Sequence, residues 1–268
     1  SMSDSNIIER QKNSYTFTAP HGTVFAVEAD GKRFIQLPRA KHPLGLDRNQ
    51  IINQLTLIYP ETHLNPPDLY NELSDLELFK LLETRLVGLN FGMTIQDLSR
   101  GMPEIEEELP GMTDRLLKSK GATIAFVGNA LSVVPLDVAR NNAVTIIDQI
   151  NYKELDEDFR ALKNKGFEAE MNRLNLLLST KNIQFVQYLF GTGQLPKEQY
   201  GKYSLVINCF GPPANKASLP ELLTMLSPGS ELWISETPTE LHNLDSAFSL
   251  NPLINNENVA VSSRIQRN

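Results

Sequence analysis

Cysteine is nearly absent from these 268 residues: Cys209 is the only one. One thiol can neither close a disulfide within the chain nor supply a thiolate zinc cluster, so a reducing, cytoplasmic setting is expected. Histidine is scarce as well. His21, His42, His63 and His242 show no ligand spacing such as two positions four apart on a helix, and no metal is assigned to them. Positive charge is in deficit, with 25 Lys and Arg against 32 Asp and Glu and a formal net charge of −7. No basic run interleaved with aromatics offsets that sign, which argues against nucleic acid as a partner. Long apolar runs are missing too. The longest uncharged stretch, Gly121–Leu136, is shorter than the roughly 20 residues a bilayer span needs, and Asn129 and Pro135 interrupt it. No membrane segment is expected, and no basic segment followed by an apolar run marks the N-terminal residues for export.

What is present is a hydrophobic content of 41%, enough for a full core in one large domain or two modest ones. The pattern divides near residue 112. Before it, TVFAVEA and KRFIQL flank Asp30-Gly31, the signature of a hairpin over Thr23–Leu37, with SYTFT as a third strand to cover it. From Asp47, placed as an N-cap, apolar Ile51, Ile52, Leu55 and Ile58 recur at helical spacing up to Pro60. A longer helix is expected from Asp68 to Leu86, stopped by Gly88. The run Glu104, Glu106, Glu107, Glu108 reads as a solvated face.

Beyond Thr113 short apolar runs alternate with helical stretches, as buried parallel strands and their crossovers do. The runs are ATIAFV, AVTIID, IQFVQYL, YSLVINCF and ELWIS, and between them lie Leu131–Arg140, Leu155–Ser179, LPKEQYG and Leu219–Leu226. A doubly wound α/β sheet is expected, with ligands outside the carboxyl ends of its strands. There stand the small-residue turn Gly128-Asn129-Ala130 and, about 20 residues on, Asp148, an acid placed to accept hydrogen bonds from ribose hydroxyls. Gly191-Thr192-Gly193 lacks the Lys and spacing of a triphosphate loop and reads as a turn. Trp233 reads as a core aromatic and Cys209 as a buried, inert thiol.

Residues 113–268 resemble the class I S-adenosylmethionine-dependent methyltransferases. IAFVGNALS sits where that family has its cofactor loop, VTIID matches its second strand, GTGQLPKEQYGKYSLVIN its third-to-fourth-strand segment, and LLTMLSPGSELWISE its helix, turn and fifth strand. The resemblance implies a Rossmann-like methyltransferase sheet over 113–268, preceded over 1–112 by a β-hairpin and helical lid or substrate domain. It implies S-adenosylmethionine as cofactor and a small molecule or protein as acceptor. It also implies cofactor contacts at Gly128, Asn129, Ala130, Asp148 and Gln149, with Asn208, Cys209 and Phe210 bordering the methyl group.

The family pattern is incomplete here: Phe126 stands where an acid is usual, and Ala130 and Ser132 stand where glycines are usual. Two alternatives therefore remain open, a methyltransferase fold kept as a non-catalytic interaction module, and a transferase of aminopropyl or aminobutyryl groups from S-adenosylmethionine or a derivative. A nicotinamide-dependent oxidoreductase is disfavoured, because its pyrophosphate needs glycines this turn lacks.

Overall fold

The structure, a computed structural model, describes residues 14–37, 47–58, 70–75, 77–78, 81, 94–95, 111–129, 131–163, 166–208, 218–234, 248–252 and 263–268. The expected hairpin is present. Strands β1 (Tyr15–Thr18), β2 (Val24–Val27) and β3 (Arg33–Gln36) form an antiparallel meander, with β4 (Thr94–Ile95) added at the β3 edge. Gly31 adopts φ 86°, the left-handed backbone that the β2–β3 turn demands. Alternation sends Phe25 and Ile35, paired across the hairpin, into the core. Helix α1 (Arg48–Ile58) starts at Asp47, whose carboxylate accepts the Gln50 N–H at 2.9 Å while the Gln50 side chain accepts the Asp47 N–H at 2.9 Å. That reciprocal pair satisfies two N–H groups that a helix start leaves without partners. Of the expected Asp68–Leu86 helix, helical backbone is described at Tyr70, Asn71, Asp75, Glu77, Leu78 and Leu81, and the rest lies outside the described residues, as does the Glu104–Glu108 run.

The larger sheet has seven strands: β5 (Thr123–Val127), β6 (Ala143–Asp148), β7 (Ile183–Gln187), β8 (Tyr203–Asn208), β9 (Leu226–Ile234), β10 (Phe248–Pro252) and β11 (Ser263–Arg267). Their order is β10-β11-β9-β8-β5-β6-β7. Strands β5 to β9 run parallel, whereas β11 is antiparallel to β9 and β10 is antiparallel to β11. The doubly wound Rossmann-like sheet is thus the one observed, and its strand order reverses between β5 and β8. Ligands of such sheets bind at that reversal.

Helices α2 (Met112–Leu117), α3 (Val134–Val138), α4 (Tyr152–Leu162) and α5 (Glu168–Ser179) bury apolar residues in the core cluster that holds Ile124, Phe126, Ile146 and Ile207. Helix α6 (Ser218–Thr224) covers the opposite face, where Ala125, Val127, Ile147 and Val206 point. The stretch expected over Leu155–Ser179 is two helices. Lys163 at φ 57° and Gly166 at φ 133° lie between them.

The meander shares the α4–α5 core. The Phe25 ring lies 5.0 Å from that of Phe159 and 5.2 Å from that of Phe167, and one hydrophobic cluster runs from Phe25 to Trp233. Asp158, fully buried on α4, accepts the N–H of His21 at 2.8 Å and of Thr23 at 3.4 Å. Arg33 pairs with the buried Glu170 of α5 at 3.2 Å. Among the described residues no helix is long and apolar enough to cross a membrane.

Replacing Phe25 by Ala removes a fully buried ring from this shared core and should cost about 3–5 kcal/mol. Trp233, the sole tryptophan, is buried in the larger sheet and reports on it. Denaturant titration followed by its fluorescence should therefore show the Phe25→Ala loss in full; an unshifted Trp233 transition would mean that the meander unfolds independently.

Candidate functional site

The turn after β5 is built on backbone geometry. Gly128 adopts φ 68° and donates its N–H to the Ile147 carbonyl at 2.8 Å, which carries the β5–β6 pairing one residue past the strand. The next N–H, that of Asn129, points at Asp148 Oδ2, 3.2 Å away. The Asn129 side chain is buried and donates to the Ser132 carbonyl at 3.0 Å, while the Ser132 hydroxyl accepts the Val134 N–H at 3.3 Å where α3 begins. Leu131 adopts φ 60°, a left-handed backbone that costs a non-glycine residue about 1–2 kcal/mol. Its side chain is 2% exposed and belongs to the main core, and that burial offsets the strain. Buried Asn129, Leu131 and Ser132 thus fasten the bend to the core.

Asp148 ends β6 and is itself 7% exposed. Besides Asn129, its carboxylate accepts the Ile150 N–H at 3.2 Å, the Tyr152 hydroxyl at 3.1 Å, and a hydrogen bond from the Gln149 main chain. Burial raises its carboxyl above the usual carboxylate range, and these donors oppose the shift. Burial also pushes the Tyr152 hydroxyl well above its ordinary value. Tyr152 occupies the first position of α4, after Asn151 has capped the helix by accepting the N–H groups of Lys153 at 3.0 Å and Glu154 at 3.2 Å. The Tyr152 ring meets the Phe185 ring edge-on, centroids 5.0 Å apart. Tyr152 does not stand out in the sequence pattern. The available signal was a tyrosine four residues past the strand-end acid, at a helix start that turns it back on that acid.

Of the other expected site residues, Gln149 accepts the Gln187 side-chain N–H on its carbonyl at 3.1 Å, tying the ends of β6 and β7 together. Asn208 ends β8, buried and opposite Ile234 of β9. Gly128, Asn129, Asp148 and Gln149 are therefore brought together, with Asn208 at the end of the strand beside β5. Ala130, Cys209 and Phe210 lie outside the described residues. No group of three or more His, Cys, Asp or Glu side chains among the described residues is placed to hold a metal ion.

A second buried carboxylate shapes the neighbouring loop. Glu221 of α6 accepts the Tyr188 hydroxyl and the Gly191 N–H, with further main-chain bonds from Gly193 and Leu195. The Gly191-Thr192-Gly193 turn thus wraps a carboxyl group supplied by the chain itself. Thr192 donates its hydroxyl to the Leu189 carbonyl at 2.8 Å, and the Gln194 side chain reaches Gln50 of α1 at 3.1 Å. Ile51 and Leu55 of α1 form a small core with Tyr70 and Leu78, against which Leu189 packs. The N-terminal helical segment accordingly sits over the segment that follows β7.

Burial pushes the Glu221 carboxyl from its ordinary 4.5 up to about 7. The folded state holds this proton more tightly than the unfolded chain does. The stability it contributes is therefore fully present below pH 4.5 and lost as pH rises through about 7. Thermal melts of the wild-type protein should fall across that window, and Glu221→Gln, which keeps an acceptor but does not titrate, should flatten the fall. An identical pH dependence in the variant would rule out Glu221 as its source.

No family model matches the chain, and no curated protein matches it. Similar solved structures exist. A SAM-dependent methyltransferase from Aquifex aeolicus matches at 13% identity over 64% of this chain and 97% of its own, with a TM-score of 0.38. A SAM-dependent methyltransferase from Agrobacterium tumefaciens matches at 15% identity over 62% of each chain, with a TM-score of 0.36. An rRNA methylase from Streptococcus thermophilus matches at 13% identity over 58% of this chain and 92% of its own, also with a TM-score of 0.36. At scores this low the likenesses carry no argument by themselves. The strand order carries the fold: β5 to β9 run parallel and reverse order between β5 and β8, and the edge carries β11 antiparallel to β9 with β10 antiparallel to β11, which makes the sheet doubly wound and Rossmann-like.

Proposed function

We propose that the chain binds S-adenosylmethionine at the carboxyl ends of β5 and β6 and transfers its methyl group to a small molecule or a protein. One observation carries the reading: the Asn129 N–H meets Asp148 Oδ2 at 3.2 Å, so the tight turn and the strand-end carboxylate form one site beside the strand-order reversal. The donor set fits an adenosyl group in kind. A carboxylate suits ribose hydroxyls, and a turn opened by a glycine at φ 68° lets main chain approach a ligand closely.

In this reading Asp148 and Gln149 hold the nucleoside, Gly128, Asn129 and Ala130 face the methionine portion, and Asn208, Cys209 and Phe210 border the acceptor. The bound cofactor would supply an electrophilic methyl group on a sulfonium. The chain's own work is then positioning and exclusion of water, which needs no acid–base pair. Helix α1 with Tyr70 and Leu78, packed against Leu189 beyond β7, serves as part of a lid.

A second reading, an interaction module that no longer binds cofactor, is favoured by the burial of Asn129, Leu131 and Ser132 within the turn. Calorimetry with S-adenosylmethionine and S-adenosylhomocysteine separates the two. Saturable heat is expected with both ligands. No heat and no thermal shift at near-millimolar ligand would leave the module. Methylthioadenosine among the products, in place of S-adenosylhomocysteine, would point to aminopropyl or aminobutyryl transfer.

A further inference from the structure

We infer that the Tyr152 hydroxyl occupies the place on Asp148 that a ribose hydroxyl would take, so that Tyr152 sets this site's affinity for nucleosides bearing a vicinal diol. The inference rests on the nucleoside reading above and deepens it. A carboxylate offers about four lone-pair directions on its two oxygens. Asp148 already receives four donors: the main-chain groups of Asn129, Gln149 and Ile150, and the Tyr152 hydroxyl. In this arrangement its acceptor capacity is filled from within.

The four donors differ in how readily they yield. Asn129 N–H is held by the turn that Gly128 pins to Ile147 at 2.8 Å and that the Asn129 side chain locks to Ser132 at 3.0 Å. Gln149 and Ile150 follow Asp148 directly in the tight bend that leads to the Asn151 cap, with the Gln149 carbonyl tied to Gln187. Displacing any of these unmakes the loop. The Tyr152 hydroxyl alone is carried by a side chain, and it has a second partner in the Asn129 side chain. A ribose hydroxyl entering the site therefore exchanges with the tyrosine hydroxyl on Asp148 Oδ2, one charge-assisted hydrogen bond for another, with little net gain. Without the tyrosine oxygen the same hydroxyl would meet an acceptor already waiting.

Tyr152→Phe makes that change and keeps the ring against Phe185, 5.0 Å away. Titration calorimetry of both proteins with S-adenosylhomocysteine, adenosine and 2′,3′-dideoxyadenosine tests the inference. The variant should bind the first two about tenfold more tightly than wild type, with no gain for the dideoxynucleoside. Equal or weaker binding of adenosine by the variant, with wild type still binding, would overturn the role of Tyr152 and leave the cofactor reading standing. Failure of both proteins to bind either diol ligand would overturn the cofactor reading and this inference with it. Should the variant not fold, wild-type protein labelled at the tyrosine ζ carbons gives the answer. The Tyr152 resonance should move with adenosine and stay with 2′,3′-dideoxyadenosine, and a resonance unmoved by bound adenosine would overturn the inference.

Discussion

A carboxylate enclosed at the end of a parallel strand is stable only if the chain surrounds it with donors, and Asp148 imposes that requirement on everything near the strand-order reversal. Its donors come from separate places: the turn after β5, the bend after β6, and the first residue of α4. Each must be brought within hydrogen-bond distance, because an ionised group shielded from water without partners costs several kcal/mol. The positions of the Gly128 turn and of the α4 N-terminus follow from that need. The same economy that makes the site compact fills the acceptor a ligand would use.

Two further buried acids follow the same rule. Asp158 takes main-chain N–H groups from the turn between β1 and β2, fastening the meander to α4, and Glu221 takes those of the Gly191–Leu195 loop, fastening it to α6. In a chain with a formal charge of −7, basic partners are scarce, and amide groups on loops serve in their place. Glu170 is the exception, since Arg33 reaches it. Loops that would otherwise be governed by their own weak preferences are thereby attached to rigid helices, and the carboxyl ends of β6 and β7 are shaped by these attachments.

Much of the architecture was legible where a local rule acts alone. Asp30-Gly31 announced the hairpin because only a residue tolerant of positive φ closes such a turn, and Asp47 announced α1 because a helix start needs a side-chain acceptor. The five parallel strands were visible as apolar runs because both of their faces are buried. Strands β10 and β11 were not visible. FSLNP and SRIQR carry little β pattern of their own, and they become strands by pairing onto β9. The extent of β9 was also missed, since Pro228-Gly229 reads as a stop. There the chain instead makes an irregularity against β8, with Gly229 at φ 79° and Ser227 donating its hydroxyl to the Tyr203 carbonyl at 3.0 Å.

The amino-acid order by itself determined the alternation of strand and helix, the turn at Gly128 and the acid at Asp148, because each depends on residues within a few positions of one another. Only the tertiary structure decided what those groups do to each other. That the Asn129 N–H meets Asp148, that Glu221 fills the Gly191 turn, and that the meander shares a core with Trp233 all depend on distances between segments up to about two hundred residues apart. No local preference encodes such distances. They emerge when burial forces each enclosed polar group to find its partner among whatever the packed helices and strands have brought within reach.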